Sequence, residues 1–131
     1  MRAARAYGNT DRQTSVMVSS SVGLVILLYD KLLVRLAEAK KGFGGRDIAA
    51  RSAAISKAIE LIEIGLVSSL DHRQGGDVAA RLKIHYQVWI AKLFNANMRA
   101  SEELLFEVEE EVRTLKSAWD QINSRSNDPT L

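Results

Sequence analysis

The chain has 131 residues, a size that fits one domain able to bury its own core. It has no Cys, which removes disulfides, thiol nucleophiles and thiolate metal sites together. A formal charge of +2 spread along the chain argues against a nucleic-acid footprint, and the lone Pro129 leaves room for long helices.

Arg2 and Arg5 precede an apolar run from Val22 to Tyr29 and imitate a signal peptide. The polar stretch 8–15 separates charge from run, and Asp30 and Lys31 follow where a cleavage site would need small residues. The run is also far short of the roughly 20 residues that span a bilayer. The expectation is a cytoplasmic protein, with no export and no membrane insertion. Residues 1–18 have no sustained period and are expected to form an N-terminal arm. Residues 19–123 are expected to form a four-helix bundle, and 124–131 a flexible tail.

The first helix is expected over 21–41, capped by Ser20 or Ser21 and ended by Gly42, Gly44 and Gly45. Its stripe is Val25, Leu28, Leu32, Leu36 and Ala39. The second is expected over 47–70 with Asp47 as N-cap and Ile48, Ile55, Ile59, Ile62, Leu66 and Leu70 inward. Gly75-Gly76 predicts a turn. The third, over 77–97, directs Val78, Leu82, His85, Trp89, Leu93 and Ala96 inward. The fourth, over 101–123, has Ser101 as N-cap and Glu102 and Glu103 where the helix dipole favours negative charge. Its stripe is Leu104, Val108, Leu115, Trp119 and Ile122. Four helices with short connections predict an all-α, antiparallel up-down-up-down bundle.

A bundle helix needs one apolar stripe. These helices have more: Ile26, Leu33, Leu27 and Val34 on the first, Leu61, Ile64 and Val67 on the second. Ile84, Val88, Ile90 and Phe94 flank the third stripe, and Phe106 points nearly opposite the fourth. One such residue is ordinary. The set predicts an interface, because contiguous exposed apolar surface usually meets a partner.

Short strings at defined places add a resemblance. They are Leu28-Tyr29-Asp30, then Ser68-Ser69-Leu70-Asp71 followed by Gly75-Gly76-Asp77-Val78-Ala79, then Leu93, Ala96 and Asn97, then Leu115 to Trp119. Together they resemble the flagellar secretion chaperone family of the FliS type over about residues 5–122. Lys31 stands where that family usually has Gly, and His85 where it usually has Leu. The resemblance implies a cytoplasmic helical bundle that binds the disordered C-terminal segment of flagellin. It implies that the client folds as helices around the bundle, which blocks polymerisation and keeps the subunit competent for type III export. The flagellar export gate is a further implied partner. In the family an N-terminal segment covers part of the client surface when no client is bound, and Tyr7 looks like that segment's Tyr. Candidate client contacts are therefore Tyr7, Leu27, Val34, Leu61, Ile64, Val67, Ile84, Val88 and Phe106.

Catalytic chemistry finds no support. His72 and His85 stand in no Glu-x-x-His or His-x-x-x-His pattern, so no di-iron site is expected. His72 reads as a loop residue and His85 as a buried neutral imidazole. Gly42, Gly44 and Gly45 follow a helix and lack the Gly-Lys-Ser/Thr order of a phosphate loop. The acidic run Glu107, Glu109, Glu110 and Glu111 reads as a solvated face, with Glu109 and Arg113 placed for an i,i+4 pair. Trp89 and Trp119 read as core. The expectation is no enzyme, no cofactor, no metal and no nucleic-acid partner, and a monomer or weak dimer when free. The alternative is a structural bundle whose surplus apolar surface mediates self-association.

Overall fold

A computed structural model describes residues 21–126. Among them are four helices and no strand. They are α1 (Ser21–Gly44), α2 (Ile48–Glu60), α3 (His72–Met98) and α4 (Glu102–Ser126), and α2 runs on into a π-helical segment, Leu61–Val67. Three short connections reverse the chain, so successive helices are antiparallel. α1 packs on α2 and α4, and α3 packs on the same two helices from across the core. The expected arm 1–18 lies outside the described residues, as do 127–131 of the expected tail 124–131, while 124–126 belong to α4.

Side-chain caps set three of the helix starts. The Asp47 carboxylate accepts from the Ala50 N–H at 3.0 Å, and Ser101 Oγ accepts from the Leu104 N–H at 3.3 Å, both as expected. Asp71 caps α3 by accepting from the Arg73 and Gln74 N–H groups, each at 3.1 Å. A short helical turn over 72–75 therefore precedes the expected helix. The expected turn at Gly75-Gly76 is present as a break, Gly76 having φ +50° and ψ −121°, and the long helical run continues from Asp77. The backbone at Gly76 is open to Gly at little cost.

One end of the bundle is tied by polar groups. Arg51 Nε donates to Asn97 Oδ1 at 3.0 Å, and its guanidinium also donates to the Asn97 carbonyl at 3.1 Å. Ser52 Oγ donates to Asn97 Oδ1 at 3.0 Å, and the guanidinium lies 5.0 Å from the Phe43 ring centre. A Cβ on Gly42 would stand 2.7 Å from the Arg51 backbone N, so α1 and α2 approach here only because Gly42 has none.

The centre holds Tyr29, Tyr86 and Trp89, all fully buried. The Tyr29 ring lies edge-on to Tyr86 at 6.4 Å and to Trp89 at 6.0 Å, and the two hydroxyls are hydrogen-bonded at 2.9 Å. These contacts join α1 to α3 diagonally. Trp89 Nε1 donates to Glu111 on α4 at 2.7 Å. Burial pushes the Tyr29 and Tyr86 phenols above their ordinary pKa, Tyr86 the more strongly.

The stripes need correction where helix ends or register decide burial. In α1 the buried set is Ile26, Tyr29, Leu32, Leu36 and Ala39, while Val25 and Leu28 are half-buried. Ile48, Val78 and Ile122 are exposed, since each sits at a helix end with no further layer above it. Leu105 and Val112, absent from the expected fourth stripe, are buried. The true stripes mix steps of three and four, and a row drawn mostly in fours drifts off the core because a turn takes 3.6 residues.

His85 is not buried. Its side chain is half exposed and Nδ1 lies 3.5 Å from Glu111. The acidic run is a solvated face only in part: Glu110 is exposed, while Glu107, Glu109 and Glu111 close α4 onto its neighbours. Glu109 is 4% exposed and is gripped by Lys40 of α1 and Arg113, each at 3.2 Å. Glu107 pairs with Lys92 of α3 at 3.0 Å.

Leu32→Ala should destabilise the protein by about 2–5 kcal/mol, because it leaves a cavity in a closed core. Ile48→Ala should change stability by roughly 0.5 kcal/mol or less. Urea unfolding of the two variants checks the pair. Alkali gives a second test. Above pH of about 10 the unfolded chain ionises its tyrosines while the folded one keeps Tyr29 and Tyr86 protonated. Stability is whole below that pH and falls as pH rises above it. In Tyr86→Phe the fall should be shallower, as read from urea midpoints across that range.

Candidate partner-binding surface

The core consumes the inner residues, and what remains outside defines the surface. Val34 of α1 is 54% exposed and Ile64 of the π-helical segment is 67% exposed. Ile84 and Val88 of α3 and Phe106 of α4 are exposed as well. Leu27, Leu61 and Val67 are half-buried, and Leu61 and Val67 pack against the core. Tyr7 lies outside the described residues.

These residues do not form one patch. Leu61 and Ile64 line a shallow recess of about 420 Å³ with Arg35, Lys57, Glu60 and Gly65, between α1 and α2. Ile84 and Val88 lie on α3, across the core from α1, and Phe106 lies on α4. In the π-helical segment Ile62 and Leu66, four apart, are buried, and Ile64, two positions from each, faces solvent, the placement that an ordinary helix period also gives.

A second recess, of about 220 Å³, opens at the end of the bundle opposite the Arg51 network. Val22, Val25, Leu70, Leu82 and Trp119 line it, with the buried Tyr86 at its wall. Sequence reasoning assigned Val25, Leu70, Leu82 and Trp119 to the core and so missed it. The signal was position: Val25 and Leu70 lie within a few residues of a helix end, and Trp119 lies in the last two turns of α4. Phe94 and Met98 of α3, also well exposed, were not among the candidates.

No group of three or more His, Asp or Glu is placed to hold a metal ion among the described residues. No described helix is long and apolar enough to cross a membrane. What the surface can do chemically is bury apolar side chains of another chain.

Comparison with known proteins agrees in kind. Residues 3–126 match the family model described as flagellar protein FliS. The flagellar secretion chaperone FliS of Salmonella typhimurium is 32% identical over 123 residues, covering 94% of this chain and 91% of that protein. Flagellar secretion chaperone FliSB of Pseudomonas aeruginosa is 33% identical over 123 residues, covering 94% and 97%. The Escherichia coli flagellar secretion chaperone FliS is 30% identical over 118 residues, covering 90% and 87%.

Proposed function

This chain belongs to the FliS family of flagellar proteins, and from that premise we propose that it is a cytoplasmic export chaperone holding the C-terminal segment of flagellin. One observation supports this most: large apolar side chains remain outside a core that is already closed, on α1, the π-helical segment, α3 and α4. The relatives' names, flagellar secretion chaperones, point the same way.

The energetics favour a dispersed surface. Ordering a disordered segment costs about 1–2 kcal/mol per residue in backbone entropy. Burying one large apolar side chain returns about 1.5–3 kcal/mol. One pocket cannot fold a client, whereas anchors spread over several helices can fold it as helices along the bundle. The contacts are Leu27, Val34, Leu61, Ile64 and Val67 on one side, with Ile84, Val88 and Phe106 on α3 and α4. Held this way, flagellin's C-terminal segment is kept from polymerising and the subunit stays competent for type III export, where the export gate is a further partner.

Titration calorimetry with the flagellin C-terminal segment tests the reading. Binding should be one to one with a negative heat-capacity change, and helical circular dichroism of the mixture should exceed the sum of the parts. A mixture equal to the sum, with a stable dimer that ignores the segment, would instead identify a self-associating bundle. Ile64→Asp should weaken binding by about 1 kcal/mol or more while leaving the melting temperature nearly unchanged, since Ile64 contributes little to the core.

A further inference from the structure

α3 has two apolar faces. The inner one packs into the core through Tyr86, Trp89, Leu93 and Ala96. A second row runs along the outside: Ala80, Ile84, Val88, Ala91, Phe94 and Met98, all exposed. It extends about 27 Å, roughly five turns. The spacings are three and four, which is how a helix presents one side to another helix laid alongside it. Nothing in the core requires this row.

On α3 itself the charge beside the row has one sign. From Val78 to Ala100 the chain has no Asp or Glu. Lys92 is engaged by Glu107 and His85 faces Glu111, both toward α4. Arg81, Lys83 and Arg99 have no carboxylate partner among the described residues. A second copy docking through this same face would set these cations against their own equivalents, which disfavours it. The acidic first half of α4 is no match in a second copy, since Phe106 is its only exposed large apolar side chain. The complement of this face is an apolar stripe bordered by carboxylates.

We propose that the outer face of α3 is the docking seam for an acidic amphipathic helix formed by the client. Its apolar side lies on Ile84, Val88, Phe94 and Met98, and its carboxylates meet Arg81, Lys83 and Arg99. This rests on the reading that a flagellin segment folds on the bundle, and it specifies the chemistry of the part that occupies α3.

The test uses the full chain, the C-terminal segment of the flagellin from the same organism, and a designed acidic helix with Leu at matching spacings. Ile84→Asp/Phe94→Asp should weaken binding of both ligands about tenfold or more. Arg81→Glu/Lys83→Glu/Arg99→Glu should weaken both at low salt and much less at high salt. The designed helix with Lys in place of every Glu should not bind. Circular dichroism of each variant checks that it is folded. Unchanged affinity for the flagellin segment in both α3 variants, with loss in Ile64→Asp, overturns the seam and leaves the client reading standing. A wild type that ignores the flagellin segment but binds the acidic helix overturns the flagellin reading and supports the seam. Binding of neither ligand overturns both. A wild-type dimer that Ile84→Asp/Phe94→Asp dissociates in light scattering assigns the face to a second copy and overturns the proposal.

Discussion

The Tyr29–Tyr86 hydroxyl pair joins the two helices that are diagonal in the bundle, and most of the remaining packing is arranged around it. A buried phenol without a partner costs free energy, so each hydroxyl requires the other. Satisfying both constrains how far α1 and α3 can slide past each other. The two rings and Trp89 then fill the space between the helices, and the Trp89 indole reaches Glu111 to bring α4 into the same arrangement. Leu32, Leu36, Leu93 and Val108 add burial, but burial alone is non-directional and would tolerate other registers.

With the interior fixed in this way, the outward residues acquire fixed positions too. Ile84 and Val88 face away from the core because Tyr86 and Trp89 face into it, one or two positions along the same helix. In the π-helical segment, likewise, Ile62 and Leu66 are inside and Ile64 faces the solvent beside Arg35. A surface of this kind is rigid in its spacing, which suits recognition of a segment that has no structure of its own before it binds.

Helix number, order and most caps were legible in the sequence because each rests on local chemistry. Asp47 and Ser101 cap as their side chains require, and Trp89 and Leu93 fall on a periodic stripe. Three features escaped. The π-helical segment has no local signature, since Leu61 to Val67 reads as ordinary helix and its wider turn is decided by packing. Asp71 was passed over as a cap because Gly75-Gly76 is a stronger stop signal, yet a bend at Gly76 allows both. His85 and Glu109 exchanged environments relative to expectation because the wheel gives direction but not what a neighbouring helix supplies: Lys40 comes from α1, far away in the chain. Of the candidate surface, exposure at Val34, Ile64, Ile84, Val88 and Phe106 followed from the wheel, whereas the half-burial of Leu61 and Val67 and the open recess beside Trp119 followed from where helices end.

The two ends of the bundle differ in how they are closed. At one, Arg51 binds Asn97 through two of its nitrogens, Ser52 binds the same side chain, and Gly42 lets two backbones touch. At the other, Val22, Val25, Leu70 and Trp119 surround open space. Thermal opening therefore has a direction. Hydrogen bonds in the first turn of α1 and the last turns of α4 exchange with solvent through small local fluctuations, while those near Asn97 wait for larger ones. Tilting of helices at the open end leaves the hydrogen bonds at the other untouched, so adjustment to side chains of different size at one end is compatible with an unchanged register at the other.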